Sequence, residues 1–201
     1  MYQNDFLNIT DIHCERMPPK AVKTIRDLIY WQYAKLISHS VGYGKKNYGF
    51  VMDRFQKLKH GEIEWSGSIR EWVKEREDSG ICIYCGERIA LCTDHLIPKS
   101  RGGLDIGDNA ATACVTCNTS RGDKGIYEWF GLREKDEVPR IVEGKYLKLL
   151  YQLHERNGTL DIDRKTLKSL CESCDIGYLC KTTTLTVYCL ESILGKITEP
   201  R

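Results

Sequence analysis

Two cysteine pairs, Cys82-x-x-Cys85 and Cys114-x-x-Cys117, bracket a stretch that also holds Asp94, His95, Asn109 and Asn118. Four thiolates presented as two CxxC knuckles joined by a loop can close a tetrahedral zinc site, because each knuckle offers two soft ligands from one turn. His95 brings an imidazole, whose proton affinity suits abstraction of a proton from water near neutral pH. Asp94 and Asn118 bring oxygens, the ligands that hard cations such as Mg²⁺ prefer. A base, two oxygen ligands and a bracing amide held by a structural metal look like a hydrolytic site. The same four cysteines without the chemistry would make a zinc ribbon.

The elements around this stretch set how it can be held. Residues 80–133 lack regular periodicity and are rich in Cys, Gly and Asn, as expected of a small metal-tied unit that cannot bury enough apolar surface alone. Residues 1–79 read as helical. Val22, Ile25, Ile29, Tyr33, Leu36 and Ile37 recur at helix-face spacing, and Tyr48, Val51, Phe55 and Leu58 mark a second amphipathic helix that Gly61 ends. Ser68 with Glu71 forms a capping-box pattern for a third helix, SIREWVKERE. Residues 134–201 carry a helix through KYLKLLYQLHER, a turn at NGTLDID and a further helix through RKTLKSLCES. Such a pair of helices serves either as a DNA reader or as a packing or dimer surface. The fold class is therefore α+β: a small zinc-bound core flanked by mainly helical amino- and carboxyl-terminal regions.

Composition narrows the function classes. A formal net charge of +2 over 201 residues gives no bulk positive field, so any phosphate contact depends on where individual Lys and Arg side chains are placed. No apolar run is long enough to span a bilayer and the first residues lack an apolar signal core, which together point to the cytoplasm and away from membranes. Ten cysteines in such a setting argue for metal ligation before disulfides. Cys171, Cys174, Cys180 and Cys189 form a second cluster, open to three readings: a second structural zinc, an iron–sulfur cluster, or buried free thiols. In GYGKKNYG, Lys45 and Lys46 lie beside Tyr43 and Tyr48, a mixture that suits either a nucleic-acid contact or an exposed turn.

The CxxC pairs, the Asp94-His95 dipeptide followed by Ile97-Pro98, the Gly102-Gly103 turn, Asp108-Asn109, and Cys117-Asn118 with its basic tail together resemble the HNH endonuclease family. The resemblance covers about a quarter of the chain, from Cys82 to about Phe130, and implies a ββα-metal core pinned by zinc on Cys82, Cys85, Cys114 and Cys117. It implies that His95 is the general base, and that Asp94 and Asn118 hold a catalytic Mg²⁺ or Mn²⁺. Asn109, also counted with the catalytic residues, would brace the loop that aims the histidine. The last position is often histidine in the family, and asparagine there shifts the expected metal toward Mg²⁺. Lys99, Arg101, Arg121 and Lys124 are the expected phosphate contacts, Arg121 and Lys124 foremost because they follow the metal ligand on the motif helix. The implied activity is hydrolysis of DNA, double-stranded by expectation, to 5′-phosphate and 3′-hydroxyl ends, with a homodimer as one route to cutting both strands. Two rivals stand beside it: a zinc-dependent nucleic-acid-binding module without catalysis, and a nuclease subunit that acts only within a larger complex. Asp94 and His95 raise a geometric question, because neighbours in a regular strand point to opposite faces.

Overall fold

A computed structural model of the chain describes residues 18–64, 78–180 and 185–192. The third amino-terminal helix, over 68–77, lies outside the described residues. Helix α1, Ile25–Ser40, begins where Thr24 Oγ1 accepts the Asp27 N–H (3.1 Å), which satisfies one of the free donors of the first turn. Helix α2, Tyr48–Lys59, is capped in the same way by Asn47, whose Oδ1 accepts the Phe50 N–H (3.2 Å). Val51, Phe55 and Leu58 of α2 are buried against α1, with Trp31 meeting Phe55 edge-on at 5.8 Å. Among the described residues no helix is long and apolar enough to cross a membrane.

The central unit runs strand, strand, helix. Strands β1 (Leu91–His95) and β2 (Ala110–Cys114) pair antiparallel, with Asp94 opposite Ala111 and His95 opposite Ala110. Helix α3, Val115–Arg121, follows β2 directly, and α4, Ile126–Glu134, bends at Gly131. Helix α5, Arg140–Arg156, and the short α6, Arg164–Leu170, complete the regular structure.

One apolar cluster joins all three parts. Ile25, Leu28 and Leu36 of α1 share it with Val142, Tyr146, Leu147 and Leu150 of α5, and with Leu96, Ile97, Ala111 and Ile126 of the central unit. The two flanks therefore form one helical body on which the ββα unit rests. The pair α5–α6 is committed to this packing, since Thr24 bridges Asp163 and Arg164 donates to the Val22 carbonyl (2.7 Å). Lys45 is committed too. It is buried in an ion pair with Glu143 on α5 (2.9 Å) and donates to the Asp136 carbonyl, so its ammonium is engaged inside the molecule. Tyr43 and Tyr48 stay exposed.

Residues 185–192 return across the molecule and lock the end of the central unit. The fully buried Glu191 carboxylate accepts the N–H groups of Tyr127 and Glu128 at the start of α4 and the Tyr146 hydroxyl, each at 2.8 Å. Gly125 is required there, because a Cβ would overlap that carboxylate. Nearby, the buried His154 ring bridges Thr159 (2.8 Å) and the Leu190 carbonyl (3.0 Å).

Burial raises the Glu191 carboxyl from 4.5 to about 7, against the donors it accepts, and lowers His154 from 6.5 to about 4. The raised carboxyl contributes stability that is complete below pH 4.5 and is lost as pH rises through about 7. The depressed imidazole contributes stability present above pH 6.5 and lost as pH falls through about 4. Between pH 4.5 and 6.5 the two oppose each other, so wild-type stability should be nearly flat. Glu191→Gln should unmask His154, with stability falling by about 1.4 kcal/mol per pH unit on acidification across that window. Urea midpoints at pH 4.5, 5.5 and 6.5 check this, and a flat profile in the variant would count against it.

Candidate functional site

The four sulfurs of Cys82, Cys85, Cys114 and Cys117 lie within 4.8 Å of one another, and Cys85 Sγ is 3.8 Å from Cys114 Sγ. A tetrahedron of Zn–S bonds near 2.3 Å has edges of about 3.8 Å, so the cluster fits a zinc site. The first knuckle is fastened to the sheet by the Ile83 N–H on the Thr112 carbonyl (2.8 Å), and the second begins α3, with the Cys117 N–H on Cys114 Sγ (3.4 Å). Burial opposes ionisation of Cys82, but the N–H groups of Cys114, Cys85 and Tyr84 outweigh it and lower the thiol to about 7. Those donors favour the Cys82 thiolate, while burial and then the neighbouring sulfurs raise Cys117.

Strand β1 sends its two polar neighbours in opposite directions. Asp94 is buried against α3, whereas His95 sits at the strand end with its side chain 24% exposed. Asn118 occupies the same side as Asp94, since its Nδ2 donates to Cys92 Sγ (3.5 Å), two residues before Asp94 on β1. Two oxygen-bearing side chains thus line the β1–α3 interface, while the imidazole stands at its rim.

Asp94 is held by an unforeseen partner. Arg121 donates to both of its oxygens, through Nε at 3.0 Å and through a still shorter Nη2 contact, and the Tyr84 hydroxyl adds a third bond at 2.5 Å. Burial raises the Tyr84 phenol, so it stays protonated and donates. Arg121 also donates to the carbonyls of His95 (2.5 Å) and Lys124 (2.8 Å). With a relative exposure of 1%, its guanidinium is spent inside the unit, which corrects its expected role as a phosphate contact. Removing it would leave a buried carboxylate with only a phenol for partner. Arg121→Ala should therefore cost about 3–5 kcal/mol. Arg121→Lys should recover only part of that, because an ammonium cannot span the same acceptors. Denaturant midpoints of the two variants test both statements.

The loop between the strands is pinned by Asn109. Its Oδ1 accepts the Ile97 N–H (2.8 Å), and its Nδ2 donates to the carbonyls of Ile97 and Leu104, both at 2.9 Å. All of its amide's bonds thus go to the backbone that leads away from His95, and the residue is 1% exposed. Gly103 makes this closure possible, since a Cβ there would overlap the Ile97 carbonyl. The loop also delivers Asp105, whose Oδ1 lies 3.0 Å from His95 Nε2 while Oδ2 accepts from Lys99 Nζ (2.7 Å). Lys99 first, then His95, hold the Asp105 carboxyl below its ordinary range, so it is ionised and the ring nitrogen facing it is the donor.

Of the other expected phosphate contacts, Lys99 and Lys124 are exposed, and Arg101 is half-buried in an ion pair with Glu128 (2.7 Å). Two lysines from α5 join this rim: Lys145 donates to the Ala110 carbonyl (3.2 Å) and Lys148 pairs with Asp108 (3.1 Å). No local motif marks Tyr84, Asp105, Lys145 or Lys148 as part of the site. Tyr84 lies inside the first knuckle and Asp105 inside the Gly-rich loop, and that proximity was the one available sign.

A family model described as HNH endonuclease matches residues 82–124. No curated protein and no solved structure matches the chain.

Proposed function

From the HNH endonuclease domain at residues 82–124, we propose that this protein hydrolyses DNA phosphodiester bonds, with His95 as general base. The observation that carries this reading is the presentation of His95: partly exposed at the end of a strand whose other end lies against the zinc-fitting cysteine cluster, on a backbone that the buried Asn109 amide clamps. With Nε2–H donated to Asp105, Nδ1 is the nitrogen left to accept a proton from water. Holding that nitrogen still matters, because proton transfer depends on distance and angle before it depends on pKa.

Asp94 and Asn118 would hold Mg²⁺ or Mn²⁺. Such an ion supplies positive charge to the phosphorane and to the leaving 3′ oxygen. The donor set fits a hard cation, since a carboxylate offers four lone-pair sites and three donors already use Asp94. Arg121 and Tyr84 share that carboxylate, so a cation would take the one site they leave open. Lys99, Arg101 and Lys124 are the proposed phosphate contacts, with double-stranded DNA as substrate and either two protomers or successive nicks cutting both strands.

A second reading, a zinc-held nucleic-acid-binding module, has one observation on its side: the carboxylate meant for the cation is buried and already engaged. Supercoiled plasmid incubated with the purified protein in Mg²⁺, Mn²⁺ or EDTA separates the two. Metal-dependent relaxation or linearisation, leaving 5′-phosphate ends, supports the nuclease. Plasmid binding that is indifferent to metal, without cutting, supports the module.

A further inference from the structure

Four cysteines stand apart from the site described above: Cys171, Cys174, Cys180 and Cys189, spaced C-x2-C-x5-C-x8-C. None of the four is in a disulfide. Cys171 and Cys174 come from one tight turn at the end of α6, where the Cys174 N–H donates to the Cys171 carbonyl (3.3 Å). The chain then doubles back. Gly177 N donates to the Cys174 carbonyl (3.1 Å), and the N–H groups of Leu179 and Cys180 both reach the Ile176 carbonyl. Ile176 is fully buried, and this anchor returns Cys180 toward the first pair. Thr186 links the second pair, its N–H 3.5 Å from Cys189 Sγ and its hydroxyl 3.9 Å from Cys180 Sγ. The two pairs are thus joined through the turns over 174–180 and through Thr186.

We infer that these four cysteines are the ligands of a second structural zinc ion. Four thiols drawn from two turns into one corner match the soft donor set of a closed tetrahedral site. Cys174, Cys180 and Cys189 are half-buried against the apolar cluster while Cys171 is exposed, so the corner has an apolar floor and an open mouth. Among the described residues only the first quartet has its sulfurs within 4.8 Å of one another. No three sulfurs of the second quartet are clustered in that way, so its thiols, the exposed Cys171 among them, must turn inward to close it. The ion would lock the return segment onto α4, where the Tyr178 hydroxyl meets Glu128 (2.8 Å) and the Tyr188 hydroxyl accepts the Leu132 N–H (3.1 Å).

The test is metal stoichiometry of the full chain, purified under reducing conditions with zinc offered, by native mass spectrometry and elemental analysis. Two zinc ions per chain are expected. Cys171→Ser combined with Cys174→Ser should leave one, and Cys82→Ser combined with Cys85→Ser should remove the other while sparing the second. A wild-type ratio of one zinc per chain would overturn the inference, and so would two ions retained by the Cys171/Cys174 variant. Iron with acid-labile sulfide would overturn zinc as the metal. The wild-type ratio decides even if a variant fails to fold.

Discussion

Replacing His95 with alanine is expected to abolish metal-dependent plasmid nicking, a fall of about 10²–10⁴-fold, the range over which a positioned general base acts. The loss should be chemical rather than structural. The imidazole's hydrogen bond runs to Asp105, a residue whose own side chain is 74% exposed, and the histidine itself is only partly covered. His95→Ala should therefore keep its zinc, its far-ultraviolet circular dichroism and its denaturant midpoint, while nicking disappears. The backbone around the site stays in place because Arg121 holds the carbonyl of residue 95 and Asn109 that of Ile97 without using the ring. Cutting that persists undiminished in the variant would remove His95 from its role. A variant that loses zinc or unfolds would show instead that the ring holds the loop together.

Extracting zinc, or replacing Cys85 with serine, should have a larger effect on structure than any other single change in the central unit. Apart from the cysteines, the apolar group around this site is small: Ala113 is buried, with Tyr84 and Leu91 packed beside it. So little buried area cannot by itself order the two knuckles and the start of the seven-residue helix, although Leu96, Ile97, Ala111 and Ile126 seat the far end of the sheet on the larger cluster. In small zinc-folded units the metal contributes on the order of 10 kcal/mol, which is folding free energy rather than an addition to it. The expected result is protease sensitivity confined to residues 82–124 together with loss of nicking. The α1–α2–α5 body should keep its helical signal, because its apolar contacts among Leu28, Phe55, Tyr146 and Leu150 do not involve the metal. Limited proteolysis with mass-spectrometric mapping of the cleavage sites reads both outcomes. Unchanged protease resistance after complete zinc removal would sink the expectation.

The features legible in the chain are the local ones. CxxC spacing identifies a thiol quartet because each pair is brought together by a single turn, and the structure closes Cys82, Cys85, Cys114 and Cys117 within zinc-binding range. Helical periodicity locates α1, α2 and α5 because their buried faces recur within a few residues. The identity of a charge's partner is a different kind of fact. Arg121, on the basic tail of the motif, reads as a phosphate contact, yet it finds Asp94 27 residues away and is buried with it. Lys45 reads as part of a basic, aromatic turn, yet it meets Glu143 98 residues on. Asp105 carries no mark of its own until the loop brings it to His95, and Glu191 none until it reaches the start of α4. The sequence by itself determined the cysteine quartet that fits zinc and the helices of the flanks, because tight turns and short-range periodicity encode them, while the strand–strand–helix order was implied by the family resemblance and not by any periodicity in residues 80–133. Only the tertiary structure decided which charges are spent inside the molecule and which remain for a substrate, because desolvation and ion pairing depend on contacts between residues far apart along the chain.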